Sequence, residues 1–82
     1  MTQLSYDPAQ WQELCWQRGD RYYWCGLRQN LFGEWVLLRK WGGRCTGKGG
    51  HRETVCADRK EGYRLMQDVL KRRHRRGYAL IH

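Results

Sequence analysis

The chain has 82 residues, of which 16 are Lys or Arg and eight are Asp or Glu, giving a formal net charge of +8. This length suffices for one small domain, and five Trp with five Tyr exclude an intrinsically disordered chain. No apolar run approaches the roughly 20 residues of a membrane helix, and residues 1–4 carry no secretory signal. We therefore expect a cytoplasmic protein with no membrane partner.

The chain begins with a polar, weakly patterned stretch. Residues 1–11 are predicted to form a loosely ordered N-terminal arm in which Asp7-Pro8 is a turn or a short helix start. Residues 12–82 are predicted to form a single domain. Its first elements are a short strand at Leu14–Gln17 and a longer strand at Arg21–Gln29, which is rich in Tyr, Trp and Cys.

A turn at Asn30–Gly33 leads into a strand at Glu34–Trp41, and the two long strands are expected to pair as a hairpin. Apolar residues occur on both faces of this strand, so it is predicted to be central in a sheet. One face carries Trp35, Leu37, Arg39 and Trp41, and the other carries Val36, Leu38 and Lys40. A glycine-rich loop follows, and His51–Cys56 is predicted to return as a further strand.

The C-terminal third predicts one long helix. Asp58 is a candidate N-cap, and Glu61 has the spacing of a capping box. Gly77 is placed to end the helix in the left-handed conformation, and residues 78–81 form an apolar tail that returns to the core or the sheet edge. The apolar stripe comprises Gly62, Leu65, Met66, Val69, Leu70 and Arg73. These elements predict an α+β fold, with a sheet and one long C-terminal helix packed across one face.

Four cysteines lie at positions 15, 25, 45 and 56 without any Cys-x-x-Cys pair. The spacing gives no signature of a zinc site, so we expect no metal. Four cysteines would allow disulfides, but the simpler interpretation is a set of thiols that serve as small core residues in a reducing compartment.

Two basic segments indicate a nucleic-acid-binding protein. Residues 39–52 contain five cations, five glycines, one Trp and no acid. Glycines allow close approach of the backbone to a ligand, cations contact phosphates, and an exposed indole stacks on a base or sugar. The predicted contacts are Arg39, Lys40, Trp41, Gly42, Gly43, Arg44, Lys48, His51 and Arg52. The alternative for Trp41 is a core position at the strand end, which is the role expected of the other four Trp.

The second basic segment is Lys71–Arg76 at the end of the helix. It is either a charged terminus that complements the helix dipole or a second phosphate-contacting surface formed by Lys71, Arg72, Arg73, Arg75 and Arg76. The glycine pattern is not that of a P-loop, and the three His and eight acids form no shared local motif. Neither a catalytic residue nor a cofactor is predicted, and we expect the chain not to be an enzyme.

Three stretches resemble a WGR domain: Asp20–Tyr23, Leu31–Gly42 and Arg75–Tyr78. The resemblance covers roughly residues 14–80 and is closest to small bacterial stand-alone members. It implies an antiparallel sheet with one helix packed across it. In poly(ADP-ribose) polymerases the domain contacts DNA at strand breaks, where the motif Trp packs on a sugar. That role would fall to Trp41, with Gly42 beside it.

The resemblance leaves two features of the site open. An ungapped alignment places Gly43 at the motif Arg and Cys45 at a position that is usually Gly, whereas a shift of one residue would let Arg44 replace the Arg. The predicted function is a monomeric module that binds DNA at ends, nicks or distorted sites, with RNA as another possible ligand. The alternative is an adaptor whose basic loop and helix end dock an acidic protein partner.

Overall fold

The computed structural model describes residues 7–44 and 47–81. It contains a five-stranded antiparallel sheet with strand order β4-β3-β2-β1-β5 and one long α-helix. The helix packs against β2 and β3, which confirms the predicted α+β fold. The elements are β1 (Gln12–Arg18), β2 (Arg21–Gln29), β3 (Trp35–Gly43), β4 (Gly49–Val55), α1 (Arg59–Arg75) and β5 (Ala79–Leu80).

The paired strands of the β3–β4 hairpin extend further into the glycine-rich segment than the sequence predicts. Strand pairing continues through Gly42, which lies opposite Gly49, so the connection between the strands spans only residues 44–48. These glycines are needed because the two backbones come very close together. A Cβ on Gly42 would lie 2.7 Å from the carbonyl oxygen of Lys48, and one on Gly49 would collide with the carbonyl of Trp41. Cys45 lies outside the described residues.

The core lies between α1 and one face of the sheet. Cross-strand pairs place Trp16 beside Tyr23 and Leu27 beside Leu37 on this face. Gly62 lets α1 approach the sheet, because a Cβ there would collide with Leu27 Cδ1. The buried cluster comprises Trp16, Tyr23, Cys25, Leu27, Leu37, Cys56, Met66 and Val69.

The predicted core role holds for Trp16, which is buried, and in part for Trp35, which packs against the core. It is wrong for Trp24, which lies on the sheet face opposite α1 because it precedes the core residue Cys25 by one position. A Cβ on Gly26 would collide with its indole, so the ring lies over that glycine. Trp11 is half-buried beside β2, where its Nε1 donates to Gln29 Oε1 at 3.3 Å.

The helix begins and ends as its sequence predicts. The Asp58 carboxylate accepts from the backbone N–H of Glu61 at 2.8 Å, and Gly77 has φ +81°. The N–H of Tyr78 donates to the carbonyl of Arg73 at 3.0 Å, which closes the last turn. The tail then pairs with the sheet edge, with Leu80 opposite Trp16. Tyr78 is thereby fixed beside the C-terminal end of α1.

The described part of the N-terminal segment begins at Asp7 and contacts β2. Pro8–Gln10 form a turn of 3₁₀ helix capped by Asp7, and the N–H of Asp7 donates to Gln29 Oε1 at 2.6 Å. Residues 1–6 lie outside the described part, so an arm spanning residues 1–11 remains a prediction. In residues 7–44 and 47–81 no helix is long and apolar enough to cross a membrane.

Candidate nucleic-acid interface

Three aromatic rings lie together beside the C-terminal end of α1. Trp41 and Tyr23 are cross-strand partners whose ring centroids are 5.8 Å apart at an interplanar angle of 14°. Tyr78 meets Tyr23 edge-on at 6.4 Å. Trp41 keeps 37% of its surface exposed. It is therefore neither a core anchor nor a freely moving side chain.

Gly50 allows the position of the indole. It lies opposite Trp41 on β4, and a Cβ at this position would come within 2.8 Å of Cζ2 of the indole. The ring thus occupies the space that a side chain at position 50 would fill. With Tyr23 on one neighbouring strand and Gly50 on the other, the orientation of Trp41 is set before any ligand binds.

Three arginines from both basic segments meet beside these rings. Arg39 and Arg52 are cross-strand partners on β3 and β4. Arg73 comes from α1, and its guanidinium carbon lies 4.2 Å from the ring centroid of Tyr23 and 5.1 Å from that of Tyr78. Together with the three aromatic residues they line a cavity of about 240 Å³. The two basic segments, separated by about 20 residues of sequence, therefore form one site.

This arginine cluster has no acidic partner in the part of the chain that is described. The ion pair in residues 7–44 and 47–81 joins Arg28 to Glu13 at 3.3 Å. It lies on the sheet face opposite the cluster. Nε of Arg39 and Nε of Arg73 are buried without a hydrogen-bond partner, a state shared with Arg59 at the start of α1. Buried donors are rarely left unpaired, and neighbouring like charges repel. An anionic ligand would relieve both costs.

The thiol beside Arg39 does not supply the missing negative charge. Cys25 is fully buried in the core, and this burial raises its pKa to about 12, although the positive charge of Arg39 acts in the opposite direction. The thiol is therefore neutral at physiological pH. The positive charge of the cluster is therefore not compensated by this thiol.

A second cavity, of about 520 Å³, continues from the first past Trp41 and Tyr78, which line both. Its floor is the glycine-rich backbone, held by a hydrogen bond from the N–H of Gly43 to the carbonyl of Lys48 at 2.9 Å. The N–H of Arg44 donates to the carbonyl of Asp20 at 2.8 Å, which ties the loop to the β1–β2 turn. The other lining residues are Asp20, Arg21, Gly42 and Gly49.

The structure places Lys40 and His51 on the other face of the sheet. They are cross-strand partners, and Nζ of Lys40 lies 5.7 Å from the ring centroid of Trp24. Arg28 lies over the same ring at 5.1 Å. The sheet thus separates Lys40 and His51 from Arg39 and Trp41. All four residues nevertheless belong to the same basic segment of the sequence.

The second basic segment is divided in a similar way. Arg73 points toward the sheet and joins the cluster, whereas Lys71 and His74 line a groove with Trp16 and Leu80. The remaining cations, Arg72, Arg75 and Arg76, are exposed at the end of α1. One of the five predicted residues therefore lies in the aromatic site.

Sequence reasoning missed Tyr23, Tyr78 and Arg21 as parts of the site. Tyr23 alternates with the core residues Cys25 and Leu27, a signal that places its ring on the helix side of β2. Tyr78 follows the helix-ending Gly77, which places it beside Arg73. Within the described ranges, no group of three His, Cys, Asp or Glu side chains is arranged to hold a metal ion.

The described structure is thus an antiparallel sheet crossed by one helix, with an aromatic and cationic site beside the C-terminal end of the helix. The sequence model of the WGR domain matches residues 12–81, so the chain belongs to the WGR family. These are binding domains, known as nucleic-acid-binding modules in proteins related to poly(ADP-ribose) polymerases.

One relative is the "Uncharacterized protein y4dW" of Sinorhizobium fredii (strain NBRC 101917 / NGR234). It is 40% identical over 58 residues, which amount to 71% of this chain and 28% of the relative. The chain thus spans little more than a quarter of that protein's length. No solved structure matches the chain significantly.

Proposed function

We propose that this chain is a DNA-binding module that prefers ends, nicks or distorted sites to intact duplex. The observation that supports this most directly is the meeting of Arg39, Arg52 and Arg73 beside the half-exposed indole of Trp41, without an acidic partner among the described residues. Cations bind the phosphates, and the flat indole packs against a sugar or base.

The preference for DNA ends and nicks follows because the indole needs an exposed base or sugar on which to stack. In an intact duplex each base is stacked on both sides, so no base face is free for Trp41. At an end or nick the terminal base and sugar are exposed on one side. The indole is already oriented by Tyr23 and Gly50, so binding there costs little side-chain entropy.

The remaining predicted residues take supporting roles in this proposal. Arg44 and Lys48 lie on the loop beside Trp41 and contact phosphates that flank the stacked nucleotide, while Gly42 and Gly43 let the strand approach the backbone. The exposed helix-end residues Lys71, Arg72, Arg75 and Arg76 attract DNA over a longer range. Lys40 and His51 contact a strand that passes around the end of the β3–β4 hairpin.

A titration panel tests the proposal. Nicked, blunt linear, covalently closed circular and single-stranded DNA of one sequence are titrated at two salt concentrations, with an RNA duplex as competitor. The expected order places nicked and blunt DNA above the closed circle, with affinity falling as salt rises. Equal affinity for nicked and closed DNA rejects the preference for ends, stronger competition by RNA reassigns the ligand, and no binding rejects the function.

A further inference from the structure

The β2–β3 turn carries the two most exposed apolar side chains among the described residues. Leu31 is 98% exposed and Phe32 is 72% exposed. Together they form what we call the apolar tip, at the opposite end of β3 from Trp41. Large apolar side chains that project singly are common on proteins, whereas contiguous exposed apolar patches mark interaction sites.

The turn that carries the apolar tip is held by hydrogen bonds of its backbone, Asn30 and Gln29, and these bonds leave the side chains of Leu31 and Phe32 uninvolved. Asn30 Oδ1 accepts from the N–H of Phe32 at 2.9 Å and from the N–H of Glu34 at 3.0 Å. Gly33 adopts φ +79°, and its carbonyl accepts from Nε2 of the buried Gln29 at 3.1 Å. Because the backbone of the turn is fixed in this way, docking at Leu31 and Phe32 requires little ordering of the main chain.

A groove of about 490 Å³ lies beside the turn. One wall is formed by Gly33, Glu34 and Trp35 and the other by residues 55–58. Val55, on the second wall, is 56% exposed. The volume falls in the range of sites that hold a small ligand or a few side chains of a partner. The groove and the apolar tip together form a surface with both a projection and a cleft.

The charge of this surface is opposite to that of the aromatic site. The charged side chains that line the groove, among the described residues, are Glu34 and Asp58. Burial raises the pKa of the Cys56 thiol in the same wall, and the negative charges of Glu61 and Asp58 raise it further. Lys60 and Arg59 follow Asp58 in sequence but do not line the groove. Phosphate groups would be repelled here, whereas a cationic segment would be attracted.

The two surfaces are far enough apart to be occupied together. Trp35, in the groove, and Trp41, in the aromatic site, are six positions apart on β3, which corresponds to about 20 Å along an extended strand. This distance is about two Debye lengths at physiological salt, so the charges at one end are largely screened from the other.

We propose that the apolar tip and its acidic groove are a docking surface for a protein partner whose contacting segment is apolar and cationic. An apolar side chain of the partner packs between Phe32 and Trp35, and Lys or Arg side chains face Glu34 and Asp58. The apolar contact provides most of the affinity, and the charges provide specificity. The surface does not depend on the proposed DNA-binding function, and together the two would let the module link a protein to DNA.

A displayed library of random 16-residue peptides tests this proposal. The library is first depleted of peptides that bind the double variant Leu31→Ser/Phe32→Ser and is then selected on wild type. A melting temperature equal to that of wild type shows that the double variant is folded. The expected consensus contains apolar residues flanked by Lys or Arg. A synthetic consensus peptide is expected to bind the double variant at least 10-fold more weakly than wild type, and to bind Glu34→Gln several-fold more weakly at low salt.

Two control variants separate this surface from the rest of the molecule. Tyr63→Ser removes an exposed aromatic ring from the outer face of α1, and Trp41→Ala alters the aromatic site; both are expected to bind the peptide like wild type. Saturating nicked duplex should not displace the peptide. The proposal is overturned by any of these results: no enrichment over the double variant, an acidic consensus, displacement by DNA, weaker DNA binding by the double variant, or a wild-type dimer in sedimentation that the double variant lacks.

Discussion

The guanidinium carbon of Arg73 lies 4.2 Å from the ring centroid of Tyr23. This contact joins the last turns of α1 to Tyr23 on β2, and Tyr23 is the cross-strand partner of Trp41. Because Arg73 is fixed there and not extended into solvent, its charge is available at the aromatic site and not at the helix surface.

Replacement of Arg73 by Gln should therefore weaken DNA binding more than replacement of its neighbour Arg72. Both variants remove one positive charge from the same helix turn, but Arg73 lines the cavity and Arg72 is exposed. We expect about a 10-fold loss of affinity for nicked duplex with Arg73→Gln, as for a charge-assisted contact of about 1.5 kcal/mol, and about 2-fold with Arg72→Gln. Fluorescence anisotropy measures both, and equal losses would show that the helix end acts only through its net charge.

Lys48 is predicted to act through phosphate contact alone. Wild type should show a slope of log affinity against log salt of about −3 to −4 if about four phosphates are contacted. Lys48→Ala should reduce that slope by about 1 while keeping the preference for nicked over closed DNA. Titrations at four salt concentrations give the slope, and Lys60→Ala, on the distant start of α1, is the charge-matched control. An unchanged slope in Lys48→Ala would show that Lys48 does not contact a phosphate.

Gly50 should be sensitive to the addition of a single methyl group. A Cβ there would lie 2.8 Å from the indole of Trp41, so Gly50→Ala should tilt the ring and weaken binding to nicked DNA about 5-fold, which corresponds to about 1 kcal/mol. The control is a double-mutant cycle with Trp41→Ala. Once the indole is gone, Gly50→Ala should cost nothing further, and additive losses would indicate that position 50 acts by another route.

The buried thiol of Cys25 should make the fold less stable in alkali. Its pKa of about 12 exceeds the value of 9.0 for an exposed thiol, so the unfolded state loses its proton first as the pH rises. The associated stability is complete below pH 9 and is lost progressively up to pH 12. Between pH 8 and pH 10 the loss from this group is about 1.4 kcal/mol.

Urea unfolding at the two pH values measures this loss. Cys25→Ala is the control, because Tyr and Lys residues titrate in the same range in both proteins and their contribution cancels in the comparison. The variant should be less stable overall but should lose about 1.4 kcal/mol less than wild type between pH 8 and pH 10. Identical losses in the two proteins would mean that the thiol is accessible to solvent in the native state.

Much of the fold could be predicted from local sequence signals. The bounds of β2, the Asp58 cap and the Gly77 terminator all follow from patterns of a few residues, and the structure confirms each. Alternation along β3 also assigned Arg39 and Trp41 to one face and Lys40 to the other, which the structure confirms through their partners on β2 and β4.

The parts that could not be predicted depend on distances between elements. The glycines at 42, 43, 49 and 50 were taken for a loop because glycine is usually unfavourable in strands. Here a Cβ on Gly42 or Gly49 would collide with the backbone of the facing segment, and a Cβ on Gly50 would collide with the indole of Trp41. The meeting of Arg73 with Arg39 depends on where α1 crosses the sheet, and no local pattern encodes that position. Trp24 was assigned to the core although its alternation with Cys25 places it on the other face.

The most direct test of the DNA-binding account compares Trp41→Ala with wild type on nicked and covalently closed circular DNA of the same sequence. Wild type should bind the nicked circle more tightly, and the variant should lose about 1–3 kcal/mol of that binding while its affinity for the closed circle stays unchanged. Trp24→Leu, which alters an indole on the opposite sheet face, should retain the preference. If wild type and Trp41→Ala bind the nicked circle equally, the indole does not stack on DNA and the proposed interface is wrong.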